Sequence, residues 1–229
     1  MTKNRGFTLI EIAIVLVIVG LLLGSILKGQ ELIVAARVRN VAVLLDGSRL
    51  AYLTFQDRYR MLPGDMPTPV ANSQIPGNPG GCTGGIGCGN GRIDDDEIFV
   101  VWAQLSRAGF IFGTYNGLIT DFAPTATNNP INPLGGFVHI VNDARYDDSR
   151  DPFQSTVLNI KTGGSVPVSI LAEIDRKIDD GLPLSGYFRS AGSTPLTGYD
   201  GIANCTLAGP TVQWNAALDS KNCGGVAIQ

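Results

Sequence analysis

Proline is absent from the first 62 residues of this 229-residue chain, and all thirteen prolines lie at or after Pro63. Histidine is nearly absent, since His139 is the only one, and this argues against most histidine-based metal sites and general bases. Charged residues make up 16% of the chain, which is low for a soluble protein. The formal net charge of −3 argues against a nucleic-acid binder built on a basic domain.

The charge divides at the point where proline first appears. Residues 1–60 hold eight Lys or Arg and four Asp or Glu, whereas residues 61–229 hold nine and sixteen. The chain therefore has two parts, a proline-free apolar segment followed by an acidic segment rich in glycine and proline.

The most apolar stretch covers residues 7–27, where only Thr8, Glu11 and Ser25 are clearly polar. At about 1.5 Å per residue, a helix of this length crosses the hydrocarbon core of a bilayer. A secretory signal peptide is the alternative. The acid inside the run, and the lack of a small-x-small cleavage site soon after it, favour a transmembrane helix.

Glu11 lies where an ionised carboxylate costs about 3 kcal/mol unless a partner is present. A cut after Gly6 would free the α-amino group of Phe7, and this cation could neutralise Glu11 of a neighbouring helix. The run Gly-Phe-Thr-Leu-Ile-Glu follows a short basic leader and opens the apolar helix. It resembles the signature of type IV prepilins, a family that includes type IV pilins, minor pilins and the pseudopilins of type II secretion.

The resemblance assigns a role to each matching position. Gly6 would be the last residue of a leader removed by a prepilin peptidase, and Phe7 would become the N-methylated N-terminus. Glu11 would guide assembly by pairing with the amine of an adjacent subunit. The implied partners are the peptidase, other pilin or pseudopilin subunits, and an assembly platform in the inner membrane. The globular domain would lie in the periplasm, or outside the cell in a filament.

The chain departs from many type IVa pilins, which carry a helix-bending proline about two-thirds along the apolar run. Gly20, Gly24 and Gly29 could loosen the helix instead, because glycine weakens a helix by about 1 kcal/mol relative to alanine. The departure favours a minor pilin or a pseudopilin over a major pilin.

Residues 28–60 continue the helical period beyond the apolar run. Apolar residues and one serine repeat at alternating spacings of four and three: Val34, Val38, Val41, Leu45, Ser48, Tyr52, Phe55 and Tyr59. This stripe predicts an amphipathic helix packed on the following domain, with a coiled coil as the alternative. The helix is predicted over residues 7–59, because Pro63 and Gly64 stop it.

The remaining sequence predicts a small α+β domain. Residues 63–91 hold five prolines and nine glycines and are predicted to form an irregular loop. The other predicted elements are helices at 95–108 and 169–179 and strands at 137–141, 156–160 and 185–190. The fold is thus a long N-terminal helix, transmembrane in its first half, on a small antiparallel sheet, as in pilins. Its parts are 1–6 leader, 7–27 transmembrane helix, 28–60 amphipathic continuation and 61–229 globular domain.

Four cysteines in a domain beyond the membrane indicate an oxidising compartment. Three pairings are possible, and the most economical joins Cys82 to Cys88 and Cys205 to Cys223. A zinc site is the alternative, although the spacings are not CxxC and only one imidazole exists. A disulfide-closed loop near the C-terminus also resembles many pilins.

Residues 90–97 resemble the second half of an EF-hand calcium loop. Gly91 is the turn glycine, Ile93 follows two residues later, and Glu97 follows six residues after the glycine. The first half fails, because its ligand positions would be Ile86 and Cys88. The acids of a helix N-terminus account for the same residues without a metal, so no metal or cofactor is assigned. Calcium at residues 90–97 stays the alternative, because the resemblance includes type II secretion pseudopilins that bind calcium in a loop.

The leading functional hypothesis is a structural subunit of a type IV pilus or a type II secretion pseudopilus. The alternative is a membrane-anchored periplasmic adhesin or enzyme. Against an enzyme, the chain lacks GxSxG, HExxH, Walker A and GxGxxG motifs. Asp147, Asp148 and Asp151 form an acidic cluster, for which a solvated turn is the simpler interpretation.

Overall fold

The computed structural model describes residues 9–83, 87–118, 123–146, 155–192, 202–218 and 222–229. These ranges contain both helices and strands, in an order that begins with one long helix. The helices are α1 (Leu9–Tyr59), α2 (Thr68–Gln74), α3 (Ile98–Arg107), α4 (Val168–Ile178) and α5 (Ile202–Cys205). The strands are β1 (His139–Asp143), β2 (Val157–Lys161), β3 (Phe188–Ser190), β4 (Thr206–Leu207), β5 (Gln213–Trp214) and β6 (Gly225–Ile228).

The chain forms two compact units, residues 1–37 and residues 38–229. Helix α1 contributes to both, and in the second unit the predicted stripe faces the core. Its buried residues are Val38, Val41, Leu45, Ser48, Ala51, Tyr52 and Phe55. Burial within the chain's own domain confirms the packed amphipathic helix. Val34 belongs to the first unit and is exposed.

The main sheet is antiparallel, with strand order β1-β2-β6-β3. Ile140 pairs with Ile160, and Ala227 pairs with both Ile160 and Phe188, so one face of the sheet is apolar. These four residues belong to the same core cluster as buried side chains of α1, α3 and α4. The predicted α+β fold, a long helix with a small antiparallel sheet, is confirmed.

Two parts of the predicted fold need correction. Residues 63–91 are not loop throughout, because α2 occupies Thr68–Gln74. Proline is tolerated in the first turn of a helix, where its missing N–H has no partner to lose, so Pro69 does not prevent α2. Strand β6 was not predicted at all, although it lies inside the sheet, because a four-residue segment beginning with glycine carries little strand signal.

Candidate functional site

The N-terminal part of α1 exposes an extended apolar surface. Every large apolar side chain from Leu9 to Leu27 is between 44% and 94% exposed. Among the described residues, α1 is the one helix long and apolar enough to cross a membrane, and none of its most apolar window is buried. A contiguous apolar surface of this size requires lipid or another protein to cover it.

The serine of this stretch is satisfied within the helix. Ser25 donates a hydrogen bond from Oγ to the carbonyl of Leu21, at 2.8 Å, so its hydroxyl is compatible with an apolar surrounding. Helix α1 continues without a break through Gly20, Gly24 and Gly29. A Cβ added at any of these three positions would meet no atom within 4 Å.

The predicted processing residues and the predicted assembly residue differ in what the structure describes. Gly6 and Phe7 lie outside the described residues, as does the leader that contains Gly6. Glu11 lies in the first turn of α1 and is exposed. An acid at this end of a helix interacts favourably with the helix dipole.

Residues 1–27 match the family model described as the prokaryotic N-terminal methylation motif. The chain carries the type IV prepilin signature. No curated protein and no solved structure matches the chain. The matched residues thus include the exposed apolar part of α1, and the match ends before the globular unit.

The four cysteines of this prepilin-like chain form two disulfides. Cys82 is bonded to Cys88 and Cys205 to Cys223, with Cα–Cα distances of 5.4 and 6.0 Å, and no free cysteine remains. The pairing confirms the most economical of the three predicted alternatives. It also removes the thiolates that a cysteine zinc site would need.

The backbone directly after the first disulfide holds a buried acid. Asp65 accepts hydrogen bonds at Oδ1 from the N–H groups of Gly89 and Asn90, at 2.5 and 3.0 Å, and at Oδ2 from Gly91, at 2.8 Å. Gly91 adopts a φ of +79°, which side chains of L-residues rarely tolerate. The sequence identified the turn glycine but missed Asp65, because its partners lie 24 to 26 residues later in the chain.

The residue that precedes α3 is the buried acid Glu97. Its Oε2 accepts the N–H of Asp94 at 2.9 Å, whereas its Oε1 is buried without a hydrogen-bond partner. Burial is the main cause that raises the pKa of Glu97 to about 7, and the charges of Asp65, Asp96 and Asp94 raise it further. Helix α3 begins at Ile98, three residues after the predicted start.

A second acidic group lies at the end of α4. Asp175 is fully buried and accepts hydrogen bonds from Nε1 of Trp214, at 2.6 Å, and from the N–H of Gly181, at 3.1 Å. Burial raises the pKa of Asp175 to about 7, and the nearby charges of Asp180 and Asp179 act in the same direction. This group joins α4 to β5, which sequence periodicity could not reveal.

The face of the sheet opposite the apolar face carries a buried ion pair. The sequence did not predict this pair. Nζ of Lys161 donates to Oδ2 of Asp143 at 2.6 Å, and Nδ2 of Asn159 donates to Oδ1 of the same carboxylate at 2.6 Å. The lone imidazole, His139, lies on the same face and is buried, and burial lowers its pKa to about 3. This histidine is therefore neutral at neutral pH.

The predicted acidic cluster Asp147, Asp148 and Asp151 lies outside the described residues.

Proposed function

We propose that this protein is a structural subunit of a type IV pilus or a type II secretion pseudopilus. It is made as a prepilin in the inner membrane, cleaved after Gly6 and assembled by packing of its N-terminal helices. The observation that carries the proposal is the exposed apolar surface of α1 at residues 9–27, which lies within the matched methylation signature.

The exposed surface accounts for both states of such a subunit. In the membrane, lipid covers the side chains of residues 9–27, and in a filament the helices of neighbouring subunits replace the lipid. Lipid is as apolar as the side chains themselves, so association depends on packing and on specific polar contacts. The pair between Glu11 and the Phe7 amine of a neighbour supplies such a contact and sets the register.

The charge and cysteine patterns support one orientation. Lys3 and Arg5 precede the apolar run and favour a cytoplasmic N-terminus, because basic residues flanking a membrane helix stay in the cytoplasm. The two disulfides favour an oxidising compartment for residues 38–229. The globular unit is therefore assigned to the periplasm.

The missing helix-bending proline and the large globular segment favour a minor pilin or a pseudopilin over a major pilin. Major and minor subunits differ in abundance. A major pilin dominates the protein of filaments sheared from the cell surface, and a minor subunit is a trace component of the same material. Quantitative mass spectrometry of sheared filaments distinguishes them.

Processing gives the first testable prediction. Mass spectrometry of the mature protein should find 223 residues (229 − 6), beginning with N-methylated Phe7. Gly6→Val should leave the leader attached, because a branched side chain blocks the cut, whereas the matched Gly20→Val should be processed normally. A mature chain that begins at Met1, or beyond Ser25, contradicts the proposal.

A further inference from the structure

Of the lysines that the structure describes, Lys161 alone has a buried amine. Its side chain is 1% exposed. Burial lowers the pKa of this amine, and the charge of Asp143 acts in the opposite direction. A lowered pKa increases the fraction of neutral amine, which is the nucleophilic form of lysine. The amine of Lys161 therefore lies in a setting that favours reaction with a neighbouring acyl group.

The carboxylate of Asp143 contacts both this amine and a carboxamide. Nζ of Lys161 donates to Oδ2 of Asp143 at 2.6 Å, and Nδ2 of Asn159 donates to Oδ1 at 2.6 Å. Nζ also donates to the carbonyl of Arg145, at 3.2 Å. Asp143 is 6% exposed and Asn159 is fully buried. One carboxylate thus holds an amine and a carboxamide side by side, away from bulk water.

The register of the sheet explains why these three side chains meet. Asn159 and Lys161 are two residues apart on β2, so their side chains leave the strand on the same face. Lys161 pairs with His139 at one end of β1, and Asp143 lies at the other end. Asn159 pairs with Val141, midway between them. The side chain of Lys161 therefore extends past Asn159 to reach Asp143.

Two polar features of this group are unfavourable as they stand. Oδ1 of Asn159 is buried and has no hydrogen-bond partner among the described residues. A buried acceptor without a donor destabilises the fold. The amine of Lys161 and the carboxylate of Asp143 form a buried ion pair, and the desolvation of both charges offsets much of their attraction. A reaction that removes both charges is favoured here.

We propose that Lys161 and Asn159 become joined by an intramolecular isopeptide bond, with Asp143 as the acid–base group. Asp143 accepts one proton from the ammonium of Lys161, and neutral Nζ attacks Cγ of Asn159 to form a C–N bond. The bond from Cγ to Nδ2 breaks as Asp143 donates its proton to Nδ2 and takes a second proton from Nζ. The products are a secondary amide, one molecule of ammonia and protonated Asp143. No oxidant takes part.

The products remove both unfavourable features. The amide carries no charge, and the protonated carboxyl of Asp143 is a donor for the carbonyl oxygen of Asn159. Ammonia leaves past Arg145, whose side chain is 34% exposed and lies 3.7 Å from the carboxylate. Because the bond spans two residues, it closes no long loop. Its measurable consequence is the acylation of Lys161.

The test is a peptide map of the full chain, purified in detergent, reduced, alkylated, denatured and digested with trypsin. Trypsin cuts after lysine and arginine, but not after a lysine whose amine is acylated. The expected product is peptide 151–176, uncut at Lys161 and lighter than its sequence by one molecule of ammonia. Fragmentation should locate the loss within residues 159–161. Cleavage after the exposed Lys177 in the same digest is the internal control.

Two variants test the role of Asp143. Asp143→Asn keeps the shape of the side chain without its acid–base function, and it should restore cleavage after Lys161 and the full sequence mass. Asp95→Asn changes the nearby acid that pairs with Arg145, and it should keep the isopeptide bond. Native pairing of both disulfides shows that a variant has folded. A bond that persists in Asp143→Asn would contradict the role of this carboxylate.

The map of the parent protein decides on the bond by itself, without any variant. Cleavage after Lys161 with no loss of mass would overturn the proposal and leave an ion pair. Loss of ammonia with normal cleavage there would also overturn it, because that result indicates a succinimide at Asn159. Loss of water, with 151–176 joined to peptide 108–145, would place the bond on Asp143 and overturn the assignment to the carboxamide.

Discussion

The first and second units of this chain differ in whether the apolar side chains of α1 are buried. Residues 9–27 of α1 carry an almost continuous apolar sequence and bury none of it within the chain. From Val38 onward the same helix carries one apolar stripe, and that stripe is buried in a shared core. One continuous helix therefore has an apolar surface exposed by the chain in its first part and a side packed in a protein core in its second. The periodicity of its apolar residues shows where each part begins, and helix propensity does not.

The largest loss of stability is predicted for a substitution at Phe55. This side chain is fully buried, and its ring centroid lies 4.6 Å from that of Tyr59 and 6.2 Å from that of Phe110. Phe55→Ala should lower the free energy of unfolding by about 4 kcal/mol, through lost burial and the cavity left behind. Urea unfolding followed by tryptophan fluorescence measures this loss.

The matched control lies in the other unit of the same helix. Leu22 is 57% exposed, and Leu22→Ala should leave that unfolding curve unchanged. A comparable loss in both variants would mean that the apolar run is part of the folded core, contrary to the comparison.

Removal of the disulfides should give the next largest effect, confined to the second unit. The Cys205–Cys223 bond closes 18 residues, and its double serine variant should lose about 3 kcal/mol, because the unfolded chain gains freedom. The Cys82–Cys88 bond closes six residues, and the same change should cost about 2 kcal/mol. Non-reducing peptide mapping checks the pairing first, and free thiols in periplasmic material would contradict it.

The pH dependence of stability should also come from the second unit. The pKa of Asp175 is raised to about 7 in the fold, so the folded protein binds a proton that the unfolded chain has already released. Its contribution is fully present below about pH 4 and is lost as the pH rises through 7. His139 acts in the opposite sense, because its lowered pKa favours the fold above pH 6.5.

Asp175→Asn removes the acid's part of this dependence. In the parent protein, ionisation of Asp175 lowers the free energy of unfolding as the pH rises from about 4.5 to about 8. In Asp175→Asn this loss should be smaller by about 2 kcal/mol. Asp46→Asn is the control, because Asp46 is an exposed acid of α1 and is not among the charges that act on Asp175, and it should retain the parent slope. An unchanged slope in Asp175→Asn would show that this carboxyl titrates normally.

The features that the sequence predicted are those whose information lies in adjacent residues. The apolar run, the stripe from Val38 to Phe55 and the turn at Gly91 are local patterns, and the structure confirms each. Asp65 and Glu97 lie close together although 32 positions (97 − 65) separate them, and the local sequence of each acid predicts a surface residue. Sequence periodicity carries no information about such contacts, which depend on how the chain folds back on itself.

The same reasoning explains the errors in the predicted elements. The sequence did not predict helix α2, because Pro67 and Pro69 are typical of a loop. Proline is also compatible with the start of a helix, which is where these two residues lie. Strand β6 is short and contains glycine, and its place in the sheet comes from pairing with β2 and β3. Tertiary pairing outweighs local propensity in strands of this length.

The smallest expected effect on folding belongs to the residue on which the filament proposal depends. Glu11→Ala should leave the unfolding of the globular unit, membrane insertion and leader cleavage unchanged, because replacing an acid by alanine makes the helix more apolar. Glu31→Ala is the matched control, since Glu31 is an exposed acid of the same helix and pairs with Lys28 at 2.6 Å.

The decisive measurement is the amount of processed protein recovered in sheared or overexpressed filaments for these two variants. The account predicts that Glu11→Ala is processed normally but incorporated about tenfold less, which corresponds to the loss of about 1.4 kcal/mol of subunit docking. Glu31→Ala should be incorporated like the parent protein. Normal processing together with normal incorporation of Glu11→Ala would contradict the pairing of this carboxylate with the N-terminus of a neighbouring subunit.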